Sequence, residues 1–226
     1  MARLFDKLRE QNTITEDIPV IHIDNITKYL YLLSENGHEK HAKIELVDGR
    51  LANPLILSKK DYPCVIPPFE KCFFESSFLH ECSFKDYKWG AFLETYKNTT
   101  RVRIYIGLLQ LAMENVYKFN ETGEIIGNTP ISWRERNHPL IERDFFMMAQ
   151  ITTEILIAIS FMHCKKQTKL IEHIPPEKVQ RKRIKNNKLP LTKYYTLDIE
   201  PLKEILRTEG RVHEVGLPKA LHICRG

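Results

Sequence analysis

The run from Leu140 to His163 contains no proline or glycine, and its core, "FFMMAQITTEILIAISFM" from Phe145 to Met162, is apolar over most of its length. Pro139, two residues after Asn137, suits the first turn of a helix, where its fixed φ is an advantage and its missing N–H is not needed. A long helix is therefore expected from Leu140 to His163. Its polar stripe, Arg143, Gln150, Thr153 and Glu154, fades toward Ile155–Met162, so the C-terminal half must be covered on nearly all sides. The apolar run approaches membrane-spanning length, but Gln150, Thr152, Thr153 and Glu154 near its centre favour a buried core helix.

A helix of this kind needs a large apolar surface to cover it. The 226 residues, 42% hydrophobic and 10% aromatic, can supply one. Asp48-Gly49 lies between two apolar-rich runs in "AKIELVDGRLANPLIL" and predicts a hairpin. Strands are expected at "KCFFES", "YKWGAFLETY", "TRVRIYIGLLQL", "LPLTKYYTLDIEP" and "KALHICRG". In the third of these, Arg101, Arg103 and Tyr105 share a face, predicted to point outward, while Val102, Ile104 and Ile106 share the other. Gly123 and Gly127 mark a turn in "NETGEIIGN". Short helices are predicted after Asn25, from Glu177 to about Asn186, and in "PLKEILRTEG". The fold class expected is α+β, with a mainly antiparallel sheet packed on one long central helix and shorter flanking helices. Residues 1–163 would form the α+β core. Residues 164–226 would be a basic C-terminal segment packed on it.

Charge is distributed unevenly. Residues 1–60 hold 9 basic and 9 acidic side chains, 61–163 hold 10 and 13, and 164–226 hold 15 and 7, so the whole excess of +5 originates in the last segment, itself +8. Such an imbalance within one chain points to an anionic partner for that segment. Five cysteines, an odd number with no Cys-x-x-Cys, argue against a disulfide framework and a zinc ribbon and for buried, reduced thiols. The first ten residues alternate charged and apolar positions and lack a secretory signal's unbroken apolar run. A cytoplasmic protein is expected, with no membrane contact.

Within the basic segment, "KVQRKRIKNNK" has six cations and no acid. On a helix, Lys178, Arg181, Lys182 and Lys185 fall at i, i+3, i+4 and i+7, which lines one face with positive charge. Mutual repulsion becomes attraction when phosphates neutralise the row and counterions are released. Val179 and Ile184 offer little apolar surface, so the helix would be loosely held until a partner binds. Arg183, Lys188 and Lys193 add charge, and Tyr194 and Tyr195 beside Lys193 could stack on the bases of a single strand. The competing reading is a solvated surface helix. The face Arg101, Arg103, Tyr105 could extend this surface, against the simpler reading of a solvated sheet face.

Other chemistry is thinly supported. His80 and Cys82 could share one side of a strand, but completing a metal site would need Cys64, Cys72, His38 or His41, so no metal or cofactor is expected. There is no Gly-x-Ser-x-Gly elbow, phosphate-cradling glycine loop or His-Glu-x-x-His motif. Scattered candidates remain: His138, Glu142, Asp144, Glu154, His222 and Arg225. A histidine as acid or base and an arginine on the phosphate are the parts of a metal-independent nuclease, which leaves enzyme activity open.

The stretches "KLPLTKYYTLDIEPLKEIL" and "KALHICRG", with "IPPFEKCFFE" and "ISFMHCKK", resemble a family of uncharacterised proteins encoded by phages and bacterial mobile elements. In that family the chain runs on past the equivalent of Arg225-Gly226 into a further histidine- and aromatic-rich stretch, so this chain is expected to be truncated. The resemblance implies a mobile-element setting and no particular activity. The function expected from the sequence is nucleic-acid binding, DNA or RNA, through the phosphate backbone and without strong sequence readout. The alternatives are a small metal-independent nuclease and a protein-binding module or inhibitor acting on a host protein.

Overall fold

The computed structural model describes residues 3–28, 46–47, 50–51, 64–77, 88–106, 109–132, 141–164 and 168–199. Its elements in chain order are α1 (Leu4–Glu10), β1 (Val20–His22), β2 (Leu46–Val47), β3 (Arg50–Leu51), β4 (Lys71–Ser76), β5 (Trp89–Tyr96), β6 (Thr99–Ile106), β7 (Leu109–Phe119), β8 (Ile125–Ser132), α2 (Ile141–Met162), β9 (Thr168–His173), α3 (Glu177–Lys185) and β10 (Tyr194–Ile199).

Eight strands form one sheet in the order β8-β7-β6-β5-β4-β1-β10-β9, and β2 and β3 pair separately across Asp48-Gly49. β1 runs parallel to both its neighbours, β4 and β10, while the other adjacent pairs are antiparallel. This overturns the expected architecture. The framework is a mixed eight-stranded sheet with helices laid on its faces, and not a mainly antiparallel sheet gathered round a central helix. The physical reason is β1. With three residues it shows no readable alternation, yet Val20 and Ile21 are wholly buried, and its slot between two distant segments creates both parallel pairings.

Alternation of side chains across the sheet builds two cores. On one face Cys72, Phe74, Leu93, Val102, Ile104, Leu197 and Ile199 pack with the α2 residues Ile151, Ile155–Ile159 and Phe161. On the other, Phe73, Phe92 and Tyr105 pack with Leu4, Phe5 and Leu8 of α1 and with Val20. Leu4–Glu10 thus form an amphipathic helix that seals the second face, with the Phe5 and Phe73 ring centroids 5.0 Å apart. Gly90 of β5 lies under that ring. A Cβ there would meet Phe73 Cζ at 2.3 Å, so the aromatic core requires glycine at this position.

Three local expectations change. "TRVRIYIGLLQL" is divided between the antiparallel strands β6 and β7. β8 begins within the predicted turn "NETGEIIGN", and Pro130 is accommodated because β8 is a sheet edge. Tyr105 does not point to solvent but is 4% exposed beneath α1. Where a helix is expected after Asn25, residues 24–28 are helical. The segments "PLKEILRTEG" and "KALHICRG" lie outside the described residues. Among the described residues no helix is long and apolar enough to cross a membrane.

Candidate nucleic-acid interface

β9 and β10 form an antiparallel pair whose connection contains α3, so the basic helix stands on a two-stranded neck with His173 opposite Tyr194 at its base. The helix buries no residue. Its attachment is polar. Gln180 Nε2 donates to Leu191 O and Leu191 N donates back to Gln180 Oε1, both at 2.8 Å. One turn on, Arg183 Nε donates to Leu189 O at 2.9 Å, and its Nη2 pairs with Glu10 of α1. Gln180 and Arg183 stand three apart and mark the inner face. Contrary to the expectation of a loosely held helix, α3 is fixed before any partner arrives.

The outer face then carries Lys178, Arg181, Lys182 and Lys185, with Lys188 beyond the end of the helix, all of them exposed. Arg181 pairs with Glu177, but both side chains are about three-quarters exposed, and such a pair contributes little. Lys178, Lys182, Lys185 and Lys188 have no carboxylate partner among the described residues. Arg183 belongs to the sequence-derived set by charge but serves here as an anchor.

The connection back into β10 is clamped by α1. Buried Thr192 donates its N–H to Asp6 Oδ1 at 2.9 Å, accepts Arg9 Nη1 on its hydroxyl at 2.6 Å, and accepts Arg3 Nη2 on its carbonyl. All these partners lie at the far end of the chain, and no local pattern signals them.

Lys193, Tyr194 and Tyr195 do not act as one surface. Adjacent strand residues point to opposite faces. Tyr194 lies on the α1 face, stacked on His173 (centroids 4.7 Å apart, planes 14° apart), tilted against His22 at 4.5 Å, with the Arg3 guanidinium 4.3 Å from its ring centre. That ring is occupied. On the opposite face Lys193 Nζ is 2.9 Å from Glu172 Oε1, which also accepts the Tyr195 hydroxyl at 3.1 Å. The Lys193 and Tyr195 hydrogen bonds hold the Glu172 carboxyl below its ordinary range, and Glu172 in turn raises Lys193.

The Tyr194 neighbourhood is a polar cluster that sequence reading missed, because it draws on four strands. His173 Nε2 lies 2.8 Å from Thr196 Oγ1. His22 Nε2 is 2.6 Å from Glu75 Oε1, close enough for an ion pair though not aligned as a hydrogen bond, and Glu75 Oε2 accepts Phe5 N at 3.0 Å.

The remaining candidates are scattered. Arg101 pairs with Glu114 at 2.5 Å, and Arg103 lies 3.3 Å from Glu94 with its guanidinium over Phe92, so that face is largely neutralised and does not extend the basic surface. Glu154 is buried and accepts the Thr27 hydroxyl at 2.7 Å. Cys64 and Cys72 are free thiols, whereas Cys164 is disulfide-bonded, which corrects the expectation of uniformly reduced cysteines. No group of three or more metal-ligating side chains occurs among the described residues. His38, His41, His80, Cys82, His138, His222 and Arg225 lie outside them, and the side chains of Glu142 and Asp144 are likewise not described. No protein family, curated protein or solved structure matches the chain.

Proposed function

We propose that the protein binds nucleic acid through its phosphate backbone, with the outer face of α3 as the contact surface. One observation carries this reading. Gln180 and Arg183 anchor the inner face, so Lys178, Arg181, Lys182 and Lys185 are held outward in a row by the fold. A rigid row of cations with almost no carboxylate compensation suits a polyanion, which gains by releasing condensed counterions and does not have to order the helix first. Lys188 extends the row. Tyr194 is engaged on its own neighbours, so the contact rests mainly on charge, which reads little sequence. A cytoplasmic setting in a phage or mobile element accompanies this reading, and DNA and RNA are both candidate partners.

The test is ultraviolet crosslinking of single- and double-stranded oligonucleotides followed by peptide mapping. Crosslinks should concentrate on the peptides spanning 178–188. Crosslinks confined to other regions would contradict the assignment.

A nuclease is the second reading, and the Tyr194 cluster favours it. Arg3, His22 and His173 gather at the base of the helix that would hold the strand, which puts candidate acid–base groups beside a phosphate-binding face. Cleavage abolished by His22→Gln or His173→Gln with affinity retained would establish it. A host-protein inhibitor is the third possibility, and in that case oligonucleotides would compete poorly for the basic face.

A further inference from the structure

The two free cysteines among the described residues occupy opposite environments. Cys72, the second residue of β4, is wholly buried, and burial pushes its thiol far up. Cys64 is half-buried in the segment that passes between the end of α2 and the β7–β8 turn. Its backbone is fixed on both sides: Ser160 Oγ donates to Cys64 O at 2.9 Å, Val65 N donates to Gly123 O at 2.9 Å, and Tyr117 Oη donates to Val65 O at 3.1 Å.

His163 follows α2 immediately and is exposed. Its Nε2 lies 2.7 Å from Ile66 O, and because a carbonyl only accepts, this nitrogen carries the proton. Nδ1 is left as the acceptor, on a ring that this bond holds against the segment carrying the Cys64 thiol. Burial is the largest single influence on Cys64 and raises it. For the thiolate beside a protonated His163, the hydrogen bonds with His163 and the Ile66 backbone and the imidazolium charge together outweigh burial and leave the thiol below its ordinary value. Gly123 borders the sulfur at φ +86°, and a Cβ there would lie 2.4 Å from Sγ. Glycine meets both the backbone and the space requirement.

We propose that Cys64 and His163 form a thiol–imidazole pair that makes Cys64 a site of exchange with low-molecular-weight disulfides. His163 Nδ1 takes the thiol proton. The sulfur anion attacks one sulfur of the disulfide, a new bond to Cys64 Sγ forms, and the original S–S bond breaks. Cys64 is oxidised into a mixed disulfide, and the departing sulfur, reduced, takes the proton back from the imidazolium. The site uses no residue of α3 and is independent of the nucleic-acid reading.

The test exposes the intact protein to oxidised glutathione and maps the modified cysteines by mass spectrometry, alongside iodoacetamide alkylation rates across pH. Cys64 should be modified while Cys72 is spared, with an alkylation midpoint below that of free glutathione titrated beside it. His163→Gln should slow modification of Cys64 roughly tenfold at neutral pH and move its midpoint upward. Continued protection of Cys72 shows that the variant is folded. Should His163→Gln unfold, the wild-type midpoint decides alone. A midpoint at or above that of free glutathione, or a folded variant whose profile superimposes on the wild type, would overturn the proposal.

Discussion

Gln180 and Leu191 exchange hydrogen bonds in both directions, side-chain amide to carbonyl and backbone N–H to side-chain oxygen, each at 2.8 Å. This pair pins a helix with no buried residue to the connection that leads into β10, and so helps decide which way the cations of α3 face. Removing it should loosen the helix without touching its charge. Gln180→Ala loses two part-buried hydrogen bonds, each worth about 1 kcal/mol net. Hydrogen exchange over residues 177–188 should accelerate while β4–β6 stay protected, and oligonucleotide affinity should fall although every outward lysine is present.

The Gly90–Phe73 contact makes a stability prediction on the α1 face. Gly90→Ala drives a methyl into the ring and should cost about 1–3 kcal/mol, as overpacking of tight cores does. Thermal denaturation measures it. Combining Gly90→Ala with Phe73→Leu should cost less than the sum of the two single changes, since the smaller side chain makes room for the methyl.

Tyr194 separates a structural from a binding role. Its ring stacks on His173 and meets Arg3 and His22, so Tyr194→Leu should lower the melting temperature while affinity for single strands, measured on the folded protein, stays within about twofold. A large affinity loss with unchanged stability would restore the stacking role expected from sequence.

The Glu172, Lys193 and Tyr195 group predicts a pH effect whose sign is fixed. Hydrogen bonds from Lys193 and then Tyr195 depress the folded-state Glu172 carboxyl, so its contribution is present above the unfolded-state value and disappears as pH falls through the lower folded one. The group is exposed, so the effect on stability is small. Carbon NMR should show Glu172 titrating below an ordinary glutamate, and Lys193→Ala should return it toward that range.

What could be read from the sequence follows the range of the interactions involved. The stripe Lys178, Arg181, Lys182, Lys185 is a local periodicity, and α3 occupies Glu177–Lys185 where the pattern placed a helix. The hairpin at Asp48-Gly49 and the strands at "KCFFES" and "YKWGAFLETY" are likewise local. The sheet order was not legible, because it turns on the three-residue β1 and its two parallel neighbours from distant parts of the chain. β9 escaped notice since it is an edge strand whose "KLIE" residues are all exposed, which leaves no alternation to read. In the candidate site, charge was legible and its use was not. Arg183 is an anchor because Glu10 and Leu189 meet it, and Tyr194 is occupied because His22, His173 and Arg3 converge on it. Only the folded chain brings those residues together.

The most direct test of the phosphate-binding account is the salt dependence of oligonucleotide affinity, measured by fluorescence anisotropy for the wild type and for a variant with Lys178, Arg181, Lys182 and Lys185 changed to alanine. The account predicts a log–log slope of several for the wild type, reduced by about three to four in the variant as the corresponding counterions are no longer released. Equal slopes for the two proteins, or no binding at low salt, would contradict it.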